Sequence, residues 1–185
     1  MEKIVYVVRH CEAEGQAPDA DLTSKGVSQA KQLGRFFADI HIDRIISSPY
    51  VRAQQSIGAL SEAKRISVET DNRFAERMLS KRSMDDWMSK LEDTFLDFHL
   101  KYEGGESSNE ATARVRDVVD ELSDGLRIVL VTHGNLMALL LKSFDDRVGF
   151  VEWKSLTNPD VYWVRISDNG ASVERIWGVN VILSE

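Results

Sequence analysis

Two histidines of this chain stand where α/β proteins do their chemistry. Arg9-His10-Cys11 follows the run Ile4-Val5-Tyr6-Val7-Val8, and Thr132-His133-Gly134-Asn135 follows Ile128-Val129-Leu130-Val131. Both runs are β-branched or otherwise apolar throughout, the pattern of a strand covered on both faces. Each histidine therefore falls at a strand's carboxyl end, the edge where open sheets bind ligands. One histidine in such a place is more often a turn residue or a satisfied hydrogen-bonder. Two at equivalent ends, the first beside an arginine, favour a shared site. His41 and His99 lack that setting and read as surface or satisfied residues. The chain has no G-x-S-x-G, no Walker A loop, no H-E-x-x-H and no G-x-G-x-x-G, so several large enzyme classes lose their usual signature.

The residue types suit phosphoryl transfer. A phosphoryl group in flight keeps negative charge on three equatorial oxygens, so fixed cations and donors must surround it. Arg9 supplies a planar fork that binds phosphate in a bidentate way, and Arg52 supplies another if its helix brings it close; taken alone, Arg52 reads as a surface ion-pair residue. A protonated His133 would add a third positive group, and Gly134 and Asn135, opening a helix, would offer backbone N–H groups. A nucleophilic imidazole must be neutral, and cations beside His10 favour that form.

The elements that must position these groups follow from pattern. Leu22-Thr23-Ser24-Lys25-Gly26 leads into a helix whose Val27, Ala30, Leu33, Gly34 and Phe37 share one face, predicting a helix packed on the sheet. Thr23 is as well suited to starting that helix as to touching phosphate. Residues 42–46 read as a second strand, Pro49 as a helix start before 50–61, and 66–70 as a third strand. Leu136 to Leu141 is apolar enough for a buried helix. Tyr162 to Ile166 and Val173 to Trp177, separated by Ser167-Asp168-Asn169-Gly170, predict a terminal hairpin with an Asn-Gly turn. Strand and helix alternate, which implies an α/β layered domain with an antiparallel edge. From about Arg77 to Ser108 the chain is charge-rich, with Trp87, Leu91, Phe95 and Phe98 at helical spacing, and is expected to form a helical cover over one end of the sheet.

Composition narrows the partners. At 185 residues, 43% hydrophobic and 29% charged, the chain has the size and balance of one globular domain spanning 1–185, and no linker or repeat divides it. A net charge of -7 opposes nucleic acid as a partner. The one cysteine, Cys11, excludes an intramolecular disulfide and leaves too few thiols for a usual structural zinc site. A reducing, cytoplasmic setting is expected, with no membrane association, since the apolar run at 4–8 is too short for a signal peptide or a spanning helix.

Arg9-His10, Leu22-Thr23 with Gly26, Ser47-Ser48-Pro49 with Arg52-Ala53, Glu76, Gly105-Glu106-Ser107 and Thr132-His133-Gly134-Asn135 occur in the order and rough spacing of the histidine phosphatase, or phosphoglycerate mutase-like, superfamily, which the chain resembles from residue 4 to about residue 140. The resemblance implies a three-layer α/β/α sandwich with a mostly parallel central sheet and an antiparallel edge strand. It also implies a phosphohistidine intermediate and no metal or organic cofactor. By match of motif it makes His10 the nucleophile, Arg9, Arg52 and His133 phosphate ligands, and Glu76 the proton donor. Gln16, six positions after His10, matches an asparagine that contacts phosphate in the mutases.

The chain also departs from that pattern. Cys11 stands where the family has glycine, so its side chain must point away from the phosphate or crowd it. Glu12-Ala13-Glu14 adds negative charge near an anion site. Arg77-Met78-Leu79-Ser80 replaces a glycine-rich stretch and acidic pair. The expected activity is hydrolysis of a small phosphorylated metabolite. The alternatives are a phosphoglycerate mutase, for which the chain is short, a phosphohistidine protein phosphatase, which the cover disfavours, and a non-catalytic binder of phosphorylated ligands.

Overall fold

A computed structural model describes residues 2–178. Six strands form one sheet in the order β3-β2-β4-β1-β5-β6: β1 (Glu2–Arg9), β2 (Arg44–Ser47), β3 (Val68–Thr70), β4 (Arg127–Thr132), β5 (Asp160–Ser167) and β6 (Gly170–Arg175). The pairs β1/β4, β4/β2 and β2/β3 are parallel, while β5 is antiparallel to both its neighbours. Thus β5 alone runs against the rest. The antiparallel edge predicted from sequence is there, although its two-residue loop is Asp168-Asn169, with Gly170 already paired to Ser167 and opening β6.

Alternation along β1 shows how the sheet becomes the middle of three layers. Val5 and Val7 face a core completed by α4 (Ser108–Glu121) and α5 (Gly134–Lys142). Tyr6 and Val8 face the opposite core, completed by α1 (Ser24–Phe36) and α2 (Val51–Lys64). Because both faces are covered, the central strands can be apolar at every position. Helix α5 follows the same logic, with every residue from Gly134 to Leu141 buried.

Local signals explain the boundaries. Thr23 caps α1, its Oγ1 accepting the Gly26 N–H at 2.9 Å, and Gly26 lies so close to the Glu12 carbonyl that a Cβ could not fit. This contact binds the loop after β1 to α1. Val27, predicted on the buried face, is 47% exposed; the apolar stripe is carried by Ala30, Leu33 and Phe37. Pro49 precedes the cap rather than opening the helix, since α2 begins at Val51 after Tyr50.

Between 77 and 107 the expected helical cover reduces to one helix, α3 (Trp87–Leu96), and the rest of the segment is turns and irregular chain. Leu91 and Thr94 are buried, whereas Trp87 is 46% exposed. A further short helix, α6 (Phe150–Ser155), precedes β5. Among the described residues no helix is long and apolar enough to cross a membrane.

Candidate active site

The carboxyl ends of β1, β2 and β4 and the first residues of α2 and α5 converge. β1 delivers Arg9 and His10, β4 delivers His133, and the turn after β2 delivers Ser48. Arg52 on α2 is fully buried at the centre. Its Nε–H points to His10 Nε2 at 3.3 Å, its Nη2–H to His133 Nδ1 at 3.2 Å, and its Nη1 donates to the carbonyls of Gln16 and Ala17 at 3.2 and 2.9 Å. A surface ion-pair role for Arg52 is thereby overturned. The two imidazoles lie with ring centroids 5.1 Å apart.

The hydrogen bonds assign both tautomers. His10 Nδ1 lies 2.6 Å from the Cys11 carbonyl, which can only accept, so Nδ1 carries the proton and the Nε2 lone pair faces Arg52. His133 Nδ1 faces an arginine that can only donate, so its proton is on Nε2, 2.8 Å from Ser48 Oγ. Burial pushes the His10 pKa down to about 4, helped by Arg52 and Arg9 and opposed by the bond to the Cys11 carbonyl. His133 is held well below the usual imidazole range by burial, then by His10 and the arginines. The expectation of a protonated His133 is therefore corrected: out of water and surrounded by cations, its imidazole is held toward the neutral form.

Arg9 Nη1 donates to the Leu156 carbonyl at 2.9 Å, while its buried Nε has no partner. The guanidinium packs on Gly134, where an added Cβ would come within 3.0 Å of it. Asn135, 8% exposed, accepts from Arg77 at 3.3 Å through Oδ1 and leaves Nδ2 unpartnered. Unmet donors thus gather at the start of α5, where backbone N–H groups also point outward.

Glu76 retains some accessible surface and accepts the Arg77 N–H at 2.8 Å. Desolvation raises its pKa, against the opposing pull of the Arg77 N–H, Arg52, Arg9 and the Leu136 N–H. A carboxyl held this way can carry a proton.

Other sequence candidates are placed differently. Thr23 Oγ1 is engaged by α1 and by Glu12 Oε1, to which it donates at 3.0 Å. Gln16 is exposed and meets the site through its carbonyl alone. Cys11 is fully buried in the α1/α2 core, and burial pushes its thiol up to about 11, so it does not crowd His10. Among the described residues no three His, Cys, Asp or Glu side chains gather as a metal site.

Sequence reading missed the support behind these groups. Asn158 Nδ2 donates to the His10 carbonyl at 2.8 Å, and the same loop's Leu156 carbonyl holds Arg9. Asp160, fully buried and bonded to Arg175 at 2.7 and 2.9 Å, anchors the loop. Arg77 joins the Glu106 carbonyl, Thr94 and Asn135.

Fold and layer order make this an α/β sandwich of the phosphoglycerate mutase-like class. The chain belongs to the histidine phosphatase superfamily (branch 1), whose sequence pattern it matches over residues 5–177. A protein named probable phosphoglycerate mutase GpmB from Salmonella choleraesuis is 30% identical over 169 residues, covering 80% of this chain and 76% of that protein. Among solved structures, a mycobacterial glucosyl-3-phosphoglycerate phosphatase is similar with a TM-score of 0.76 at 21% identity, covering 97% of this chain and 100% of the other. The phosphoglycerate mutase from Bacillus anthracis is similar with a TM-score of 0.75 at 19% identity, covering 95% and 92%. Its relatives thus include proteins named as phosphatases and as mutases.

Proposed function

We propose that the protein hydrolyses a phosphomonoester through a phosphohistidine on His10. The observation that carries this reading is the His10 tautomer, with Nδ1–H tied to the Cys11 carbonyl and the Nε2 lone pair turned toward Arg52. A phosphate oxygen drawn to Arg52 brings phosphorus to that lone pair. Nε2 attacks, a P–N bond forms, and the ester P–O bond breaks. The leaving oxygen takes the Glu76 proton, and the Glu76 carboxylate then accepts a proton from the water that cleaves the P–N bond. Arg9, Arg52 and the start of α5 stabilise the equatorial oxygens. An arriving dianion raises the His133 pKa, giving a Nδ1–H toward phosphate. Gly134 and Asn135 complete the cradle.

The cations of this mechanism are arginines, so activity is expected to survive exhaustive chelation. The substrate is a small phosphorylated molecule of the cytoplasm, not a nucleic acid. Labelled substrate quenched without acid should leave an acid-labile, base-stable adduct that His10→Ala abolishes; full activity in His10→Ala overturns the reading. A mutase is the second reading, supported by the relative that carries that name. It predicts that label passes from the adduct to a phosphoglycerate rather than to water.

A further inference from the structure

We propose that the alcohol half of the substrate is apolar, an aryl or longer alkyl group rather than a compact one bearing a second phosphate or a carboxylate. This rests on the phosphatase reading and concerns what lies around the phosphate cradle.

Apolar surface touches the cradle at Tyr50, and further exposed apolar side chains stand on the chain segments that follow Glu76 and precede the loop holding Arg9. The partly exposed Tyr50 ring lies 4.9 Å from the His133 ring and 4.8 Å from Arg52 Cζ, in direct contact with the cradle. Two residues beyond Glu76, Met78 is 50% exposed. Trp87 and Met88 on α3 are 46% and 38% exposed. Trp87 meets Trp153 edge-on at 6.4 Å, and Trp153 belongs to α6, which runs into the Leu156 carbonyl that holds Arg9. Large side chains left open on these segments, with Tyr50 at the cradle itself, are surface that an apolar ligand can cover.

Charge argues the same way. A second phosphate or a carboxylate needs cations beyond the cradle, and those between 77 and 108 are nearly all taken. Arg77 is bonded to the Glu106 carbonyl, Thr94 and Asn135. Arg82, Lys90 and Lys101 are matched with Glu103, Asp86 and Glu110 at 2.9, 3.1 and 2.7 Å. Among the exposed cations of this segment Lys81 alone is without an ion-pair partner, and its stem lies over Gly104.

The test measures kcat/KM for wild-type protein on monoalkyl phosphates from ethyl to octyl, phenyl and naphthyl phosphate, glycerol phosphate and 3-phosphoglycerate. The expected result is a rise with chain length, up to about fourfold per methylene in contact, expressed in KM because ground and transition states share the contact. In Trp87→Ala and in Tyr50→Ser the octyl-to-ethyl ratio should shrink at least several-fold; Tyr50→Phe should retain it. A wild-type series flat in chain length, or a tenfold preference for 3-phosphoglycerate, overturns the inference and leaves the phosphatase reading standing. No turnover of any ester and no adduct on His10 overturns both.

Discussion

At the residue scale the proposed chemistry turns on a division of labour between two titratable groups. His10 must be neutral to attack and Glu76 protonated to assist departure, and burial pushes one pKa down and the other up, which is what a nucleophile and a general acid require of one small site. An aryl oxygen leaves readily as an anion, whereas an alkyl oxygen must be protonated as its bond breaks. Glu76→Gln is therefore expected to cost little on aryl esters and about a hundred- to ten-thousand-fold on alkyl esters, measured as kcat/KM over a matched series. Equal losses on both would assign Glu76 a structural role. Gly134→Ala tests the cradle separately. Its Cβ would meet the Arg9 guanidinium at 3.0 Å, so inorganic phosphate should inhibit about ten- to a hundred-fold less well, the worth of one charge-assisted bond. The chemical groups themselves were legible in the sequence, because arginine and histidine at strand ends announce their capacity. The His133 charge state was not, since it depends first on burial and then on a histidine and three arginines that only the fold brings within reach.

Among the elements, those built on periodic burial were readable and those built on backbone contacts were not. The all-apolar run in α5 and the β-branched runs of β1 and β4 declare two-sided burial, and the structure buries them. Val27 fits the α1 stripe by spacing yet is exposed, because Ala30, Leu33 and Phe37 already fill the contact with the sheet and α2. The loop from Leu156 to Asp160 contributes carbonyls to Arg9 and one amide to His10, and carbonyls leave no trace in a sequence. This loop is expected to matter for catalysis. Asn158→Ala removes a 2.8 Å bond to the His10 carbonyl and should lower kcat several-fold, in line with the roughly 0.5–1.5 kcal/mol worth of a neutral hydrogen bond. Steady-state rates beside a thermal melt separate the possibilities: unchanged kcat would show that packing alone holds β1's end in place.

For the whole molecule, keeping two imidazoles neutral inside a ring of arginines ties folding to pH. The His10 pKa is about 4 in the folded protein and about 6.5 in an unfolded chain. Between those values the unfolded chain binds a proton that the native one refuses, so stability falls as pH drops through the window. For His10 alone the loss between pH 7.5 and 5 is about 2 kcal/mol, and His133, also depressed, acts in the same direction. Glu76 opposes them, because a raised carboxyl pKa favours the native state as pH falls toward the ordinary glutamate range. The surface carboxylates enter later. Glu110, held at about 2 by Lys101 and the Ser107 N–H, and Asp43, Asp71 and Asp145, also lowered, lose their contribution only as pH falls below about 4.5. Destabilisation that begins near pH 6.5 is thus a signature of the site rather than of the surface. Urea midpoints at pH 7.5 and 5 should show it in the wild type, and His10→Gln, which removes the titrating ring, should flatten it by about 2 kcal/mol. A His10→Gln protein with the full wild-type pH dependence would mean that His10 has the same pKa folded as unfolded, so that the fold does nothing to keep its lone pair free below about pH 6.5.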